Sequence, residues 1–344
     1  MTSRGEVVRH PWRWVPVVGV LLVGLALLWP APSEAAVALK CALQTINDVQ
    51  HEWCKRYIAR LEKASNGLIK GQVFPAAQLG NVNRMIEGVQ LGTIEAAITP
   101  PDFLIGLDPR FMALTSPYLF DNMDHVHRVL NDREFLDKFL TLAEPKGVLG
   151  VSLMVYGPAG IALRTPLRSP DDLRGKKLRI NATPIERAMM AAFGATGAPM
   201  GLPEALTAVQ QGTVDGVQSA LRAITNFKFY ESAKYYANTN HFYITSIAFI
   251  NKKWLEGLPP NVQKAVVEEG RAVQAELLEV AKQATADAEA TWKAQTKDGW
   301  IDLTADQRAA FRHRLEGIDG RIFQEHPAVK DLIELLRRKS RELR

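Results

Sequence analysis

Short apolar runs alternate with amphipathic segments along the first half of the chain. The apolar runs predict three strands, at residues 39–45, 69–74 and 94–99. Between them, apolar side chains recur every three or four residues and predict two helices, at residues 49–64 and 82–91. Gly92 follows the second helix in the position of a helix C-cap. This β-α-β-α-β order predicts a parallel sheet with helices on both faces.

A second unit of the same kind follows. An apolar run at residues 147–156 predicts a long strand, and Gly157-Pro158-Ala159-Gly160 is typical of a turn after it. Ser169 and Thr183 are each followed by proline and then, three residues after the hydroxyl, by an acidic residue. That spacing predicts the N-caps of two helices, around a strand at residues 177–180. Residues 157–243 therefore alternate again between strands and helices.

Residues 260–297 carry the longest helical pattern in the chain. A helix of this length would extend about 57 Å, which is longer than one such unit needs. We therefore expect this helix to bridge both units and to bend at Gly270.

The N-terminus has the layout of a secretory signal peptide. Three arginines precede an apolar run at residues 14–29, Pro30 breaks the run, and small residues follow at Ala35 and Ala36. We expect cleavage near residue 35, and the alternative is a retained membrane anchor. A cleaved signal predicts an exported, periplasmic protein.

Two cysteines, Cys41 and Cys54, belong to the exported part. An exported pair can oxidise, but one lies on a predicted strand and the other on the next helix, so the sequence leaves the disulfide open. The formal net charge of +5 is spread along the chain, and no basic cluster precedes the tail. This pattern does not favour a nucleic-acid partner.

The sequence shows no motif that carries chemistry. It has no Gly-x-Ser-x-Gly, no His-Glu-x-x-His and no glycine-rich phosphate loop, and its seven histidines lack metal-ligand spacing. We therefore predict no catalytic residue, no metal and no cofactor, and a protein that is not an enzyme.

A binding site is better supported. In open α/β sheets ligands bind beyond the carboxyl ends of strands, and polar residues follow the predicted strands there: Gln44, Thr45, Thr99 and Ser219. Arg179 lies at the end of a predicted strand, four residues before the Thr183 helix cap. A guanidinium beside a helix N-terminus suits a carboxylate. The alternative is that Arg179 pairs with a surface acid.

Several linked segments resemble one family. They are residues 74–80, 92–95, 116–120, 169–179, 204–216 and 228–231, which read FPAAQLG, GTIE, SPYLF, SPDDLRGKKLR, EALTAVQQGTVDG and KFYE. Over residues 39 to about 300, their order and spacing make the chain similar to solute-binding proteins of the DctP type. These proteins serve TRAP (tripartite ATP-independent periplasmic) transporters.

The resemblance implies an α/β, two-lobed, periplasmic-binding-protein-like clamshell with a long helix spanning both lobes. Lobe I would comprise residues 36–156 and about 244–284, and lobe II residues 157–243 and about 285–344, including the C-terminal helices. The receptor would be a monomer that captures a small organic acid and delivers it to a TRAP permease driven by an ion gradient. The alternatives are a binding protein of an ATP-driven importer and, less favoured, an exported hydrolase.

The resemblance also bears on the site. The family's signature arginine, which binds the ligand carboxylate, corresponds to Arg179, and Leu202, Asn240 and Phe242 join the expected cleft. Two features depart from family members that bind dicarboxylates or sialic acid. Ala159 stands where those often have a second arginine, and Ser219 where they have an asparagine. We therefore expect a monocarboxylate.

Overall fold

The computed structural model describes residues 1, 2, 5 and 36–344. The elements below belong to one compact unit, Val37–Arg344. The signal peptide predicted for residues 1–35 falls outside the described residues, apart from three positions, and stays a prediction. No helix in the described part of the chain is long and apolar enough to cross a bilayer.

Strands and helices alternate along Val37–Arg344. The strands are β1 (Val37–Leu43), β2 (Ile69–Phe74), β3 (Ala96–Thr99), β4 (Val148–Leu163), β5 (Lys177–Ile180), β6 (Thr196–Pro199), β7 (Gly216–Ala220), β8 (Tyr235–Ala237), β9 (Tyr243–Asn251) and β10 (Trp300–Ile301). The α-helices are α1 (Val49–Ala64), α2 (Val82–Leu91), α3 (Met123–Leu130), α4 (Arg133–Leu140), α5 (Pro184–Ala192), α6 (Leu202–Gln210), α7 (Leu221–Asn226), α8 (Lys252–Glu256), α9 (Pro260–Glu276), α10 (Leu278–Thr296), α11 (Ala305–Arg314), α12 (Ile318–Glu325) and α13 (Pro327–Glu342). Short 3-10 helices lie at Pro101–Leu104, Pro109–Thr115, Glu144–Lys146, Pro170–Leu173 and Phe229–Glu231.

The strands form two groups that share the long strand β4. In the first group, β1 pairs in parallel with β2 and β3, and β9 lies antiparallel between β3 and the first half of β4. In the second group, the second half of β4 pairs antiparallel with β7 and β8, and β5 lies parallel between β7 and β6. Strand β10 extends the second group by pairing with β8. Each group, with the helices packed on it, is called the first or the second lobe below.

The turn predicted at residues 157–160 is wrong, because these residues lie inside β4. Gly157 pairs with Ile244 of β9, and the strand then continues into its pairing with β7. A partner strand on each half of β4 extends it past residues that predict a turn. Packing requires Gly160 here, since a Cβ at this position would lie 2.2 Å from the hydroxyl of Tyr236.

Two helices, α9 and α10, replace the single helix predicted at residues 260–297. The interruption falls at Leu277, so the bend predicted at Gly270 is wrong. Helix α9 packs on α1 and β4 of the first lobe, whereas α10 packs on α7 of the second lobe. Gly270 lies where α9 crosses β4, and a Cβ there would lie 2.8 Å from the carbonyl oxygen of Val151. The helix pair still spans both lobes, as predicted.

Cys41 of β1 and Cys54 of α1 form a disulfide, with their Cα atoms 6.0 Å apart. Both side chains are fully buried. The bond answers the question that the sequence left open, and it ties α1 to the sheet of the first lobe.

Candidate functional site

A cavity lies between the two lobes, beyond the carboxyl ends of β1, β5 and β7. The first lobe lines it with Gln44, Thr45, Gln50, Pro100, Phe103 and Tyr156. The second lobe lines it with Arg179, Asn181, Leu202, Ser219, Ala220 and Ala223, and Ile244 of β9 completes the wall. Because both lobes contribute, closing or opening them would change the cavity.

Arg179 is the one cationic side chain among the described residues that line this cavity. It is only 2% exposed, and its Nε donates to the carbonyl of Met200 (2.9 Å) while Nη1 donates to the carbonyl of Gln218 (3.2 Å). Within residues 36–344, Nη2 has no acceptor and the guanidinium forms no ion pair. Burial lowers the pKa of Arg179 to about 10, so the side chain stays positively charged at neutral pH. The alternative of a surface ion pair is therefore not observed.

Two buried carboxyl groups, Asp102 and Glu186, act electrostatically on Arg179. Glu186 accepts hydrogen bonds from Gln218 Nε2 (2.9 Å) and from the backbone N–H of Asn181 (3.2 Å). Asp102 accepts a hydrogen bond from Asn181 Nδ2 (2.9 Å). Burial raises the pKa of both carboxyl groups, that of Glu186 to about 8, and the charge of Arg179 opposes this rise. The three groups therefore form one electrostatic unit beneath the cavity.

A chain of hydrogen bonds fixes Gln218, whose backbone holds Arg179. Since Gln218 Nε2 faces a carboxyl oxygen of Glu186, its Oε1 faces His241 Nε2 at 2.8 Å, and that nitrogen must donate. His241 Nδ1 then accepts from the hydroxyl of Thr239 at 2.7 Å. Burial lowers the pKa of His241 to about 3, so the ring is neutral at physiological pH. These hydrogen bonds therefore fix the residue whose carbonyl holds Arg179, and the neutral His241 adds no charge to the site.

On the first lobe, Gln44 connects the two sides of the cavity. Its Nε2 donates to Thr99 Oγ1 (3.0 Å), and its Oε1 accepts from the backbone N–H of Leu202 in the second lobe (3.4 Å). Thr45 donates to Gln50 Oε1 (3.2 Å) in the same wall. These contacts hold the polar rim of the first lobe against the start of α6.

Residues 43–325 match the family model described as "Bacterial extracellular solute-binding protein, family 7", also called DctP. The chain belongs to this family. Its members are periplasmic solute-binding receptors of the TRAP type and not enzymes, and the two-lobed α/β fold predicted from the sequence is confirmed.

Relatives and a solved structure agree with the assignment to family 7. The 2,3-diketo-L-gulonate-binding periplasmic protein YiaO of Escherichia coli is 32% identical over 250 residues, which are 72% of this chain and 76% of that protein. The C4-dicarboxylate-binding periplasmic protein DctP of Rhodobacter capsulatus is 29% identical over 310 residues, 87% of this chain and 90% of that one. A TRAP periplasmic solute-binding protein from Desulfovibrio salexigens, solved with bound orotic acid, superposes with a TM-score of 0.83. It is 25% identical, and the match covers 89% of this chain and 99% of that one.

The structure of this family 7 protein brings together most of the residues expected in the site. The cavity is lined by five of them: Gln44, Thr45, Arg179, Leu202 and Ser219. The other three are not among the lining residues. Thr99 lies behind Gln44 and accepts its hydrogen bond, Phe242 packs on the His241 ring with centroids 5.1 Å apart, and Asn240 is held at a positive φ of 46°.

Eight further lining residues of this family 7 protein were not predicted as site residues, and those with large or polar side chains include Gln50, Phe103, Tyr156 and Asn181. Asn181 could have been found, because residues two apart on a strand share a face and it lies two positions after Arg179. Tyr156 could not, since a register irregularity between Val155 and Gly157 interrupts the alternation of faces.

Proposed function

We propose that this protein is exported by a cleaved signal peptide at residues 1–35, captures a small monocarboxylic acid with Arg179, and delivers it to a TRAP permease. The observation that carries the proposal is the buried guanidinium of Arg179, which lines the cavity between the lobes with its Nη2 free of partners within residues 36–344. A charge-assisted hydrogen bond to a carboxylate is short and strong, and burial away from water strengthens it further.

The preference for one carboxylate rests on the charges in the cavity wall. Arg179 is the one lining cation in the described part of the chain, and Ala159 is fully buried in β4. A second ligand carboxylate would therefore enter without a positive partner. Similar proteins are named for ligands of both kinds. 2,3-Diketo-L-gulonate and orotic acid each carry one carboxylate, whereas a C4-dicarboxylate carries two.

Capture requires the lobes to move, and we assign residues 36–156 with about 244–284 to the first lobe and residues 157–243 with about 285–326 to the second. The C-terminal helix α13, expected in the second lobe, packs instead on α3, α4 and the 3-10 helix Pro109–Thr115 of the first. The chain crosses between the lobes on β4 and β9, which pair at Gly157 with Ile244 and at Pro158 with Tyr243. A hinge at these two adjacent strands lets one lobe rotate against the other. The ligand drives closure only by binding the closed form more tightly than the open form.

The proposal is tested with the exported chain, residues 36–344, unfolded and refolded to remove co-purified ligand. Thermal unfolding is measured with a panel of sugar acids, hydroxy acids, orotate and succinate, and with the carboxamide of each acid that binds. A ligand at 100 times its Kd adds about 2.7 kcal/mol and raises the Tm by several degrees. We expect shifts with monocarboxylates and none with their carboxamides. A carboxamide that binds as tightly as its acid contradicts the role of Arg179, and binding confined to succinate contradicts the monocarboxylate preference.

A further inference from the structure

Asn181 shares the cavity wall with Arg179. It follows the last residue of β5, two positions beyond Arg179, so both side chains lie on the same face about 7 Å apart along the strand. Asn181 is buried and lines the cavity. A group that binds here contacts the same ligand as Arg179.

The carboxyl group of Asp102 sets the orientation of the Asn181 amide. Asn181 Nδ2 donates to Asp102 Oδ2 at 2.9 Å, and Thr115 donates to the other oxygen of Asp102. With Asn181 Nδ2 bonded to Asp102, the amide oxygen is the end of the side chain left to accept a hydrogen bond from a ligand. Asn181 Oδ1 is therefore directed away from Asp102, and it has no donor within residues 36–344.

A fixed acceptor beside a carboxylate-binding arginine selects for a particular ligand chemistry. We propose that Asn181 is a specificity-determining residue that accepts a hydrogen bond from the hydroxyl at C2 of the ligand, so that the site prefers 2-hydroxy acids. The inference rests on the proposed function, since it takes the carboxylate to be held by Arg179. A ligand without that hydroxyl would cover the amide oxygen and leave it unpaired, which is the basis of strong discrimination in polar sites.

The position of Asp102 makes it the residue that orients this contact. It lies in the 3-10 helix Pro101–Leu104 of the first lobe, whereas Asn181 belongs to the second. Their hydrogen bond therefore forms between the lobes, beside the cavity. With Asp102→Asn, either end of the Asn181 amide can face the new side chain, and the acceptor at the ligand is no longer enforced.

The test uses matched ligands: the hexonates D-gluconate, D-galactonate, D-mannonate and L-gulonate, each with its 2-deoxy analogue. Calorimetry gives the ratio of Kd values for an analogue and its parent acid. We expect a ratio of at least about tenfold in the wild type, and a ratio near one in Asn181→Ala and in Asp102→Asn. A merely structural role would weaken both ligands equally and leave the ratio unchanged.

Ser219→Ala is the control, because it removes a different polar group from the cavity wall. It can weaken binding, but its ratio should stay at the wild-type value. A wild-type ratio near one, an unchanged ratio in both Asn181→Ala and Asp102→Asn, or binding confined to monocarboxylates that lack a 2-hydroxyl group overturns the inference. Each of these outcomes overturns only the role of Asn181. The proposed function is unaffected as long as the carboxamides do not bind. Binding of a hexonate carboxamide as tight as that of its acid instead overturns the proposed function and, with it, this inference.

Discussion

Glu186 is a buried carboxyl group with an unusual titration. Burial, and to a smaller extent the charge of Asp102, raise its pKa to about 8, against 4.5 for an ordinary glutamate. Between these two values the folded protein holds a proton that the unfolded chain has released. Its contribution to stability is therefore complete below pH 4.5 and lost as the pH rises through about 8.

Replacing Glu186 should flatten the pH dependence of stability. We expect the free energy of unfolding in urea to fall between pH 6.5 and 8.5 more steeply in the wild type than in Glu186→Gln, by up to about 1 kcal/mol per pH unit. His241 does not interfere in this range, because burial lowers its pKa and its effect is confined to pH below 6.5. The exposed Glu268→Gln serves as the control. Equal slopes in the wild type and Glu186→Gln would show that Glu186 is already ionised at pH 6.5.

At the residue scale, the sequence predicts the side chains that follow regular strands. Gln44, Thr45 and Ser219 lie near the ends of predicted strands, and the structure places them in the cavity wall. Phe103 was missed because it enters the wall from a 3-10 helix after β3, where no periodicity marks its direction. The position of Asn181 follows from that of Arg179, but the orientation of its amide depends on Asp102, a residue 79 positions away, and no local pattern reveals it.

At the scale of elements, the crossing of α9 over β4 depends on a glycine. A Cβ on Gly270 would lie 2.8 Å from the carbonyl oxygen of Val151 and 3.0 Å from its Cβ. The backbone of β4 cannot yield as a flexible side chain would, so helix and strand must separate. The packing that Gly270 permits between α9 and β4 therefore stabilises the fold by more than alanine would through its higher helix propensity.

Two glycine-to-alanine variants separate these effects. Gly270→Ala should lower the free energy of unfolding by about 1–3 kcal/mol through overpacking. Gly320→Ala, on the exposed face of α12 where a new Cβ would meet nothing within 4 Å, should raise it by up to about 1 kcal/mol. Chemical denaturation of both variants measures the difference. Stabilisation by Gly270→Ala would mean that α9 does not lie this close to β4.

Local patterns predict elements well where the pattern and the tertiary contacts agree. The predicted bounds of α1, β2, α2 and β5 match the structure. Local patterns fail inside β4, where pairing with β9 and β7 overrides turn-forming residues. They also fail at Leu277, where no residue in the sequence marks the interruption of the long helix.

At the scale of the whole molecule, pairing between distant segments builds the two lobes. The antiparallel insertion of β9 between β3 and β4 joins residues that lie 85 to 154 positions apart, and no periodicity reveals it. The order of the family motifs nevertheless predicts the two-lobed fold. Contacts between the lobes, such as Leu202 with Gln44 and Asn181 with Asp102, surround the cavity and link closure to its contents.

The central claim is that Arg179 holds the carboxylate of the ligand inside the closed cavity. Calorimetric titration of the best-binding acid from the panel into wild type, Arg179→Lys, Arg179→Ala and Arg174→Ala tests it most directly. Arg174 is an exposed cation of the same lobe that pairs with Asp171, so its removal controls for net charge. Far-UV circular dichroism confirms that each variant is folded, and Arg179→Lys retains a buried cation between the two carboxyl groups.

We expect Arg174→Ala to bind within about twofold of the wild type, since exposed ion pairs contribute little. Arg179→Ala should weaken binding by about 30-fold or more, because the ligand charge then enters the cavity unpaired. Arg179→Lys should fall between the two, since one ammonium cannot reproduce the planar guanidinium. Wild-type affinity in a folded Arg179→Ala would contradict the account.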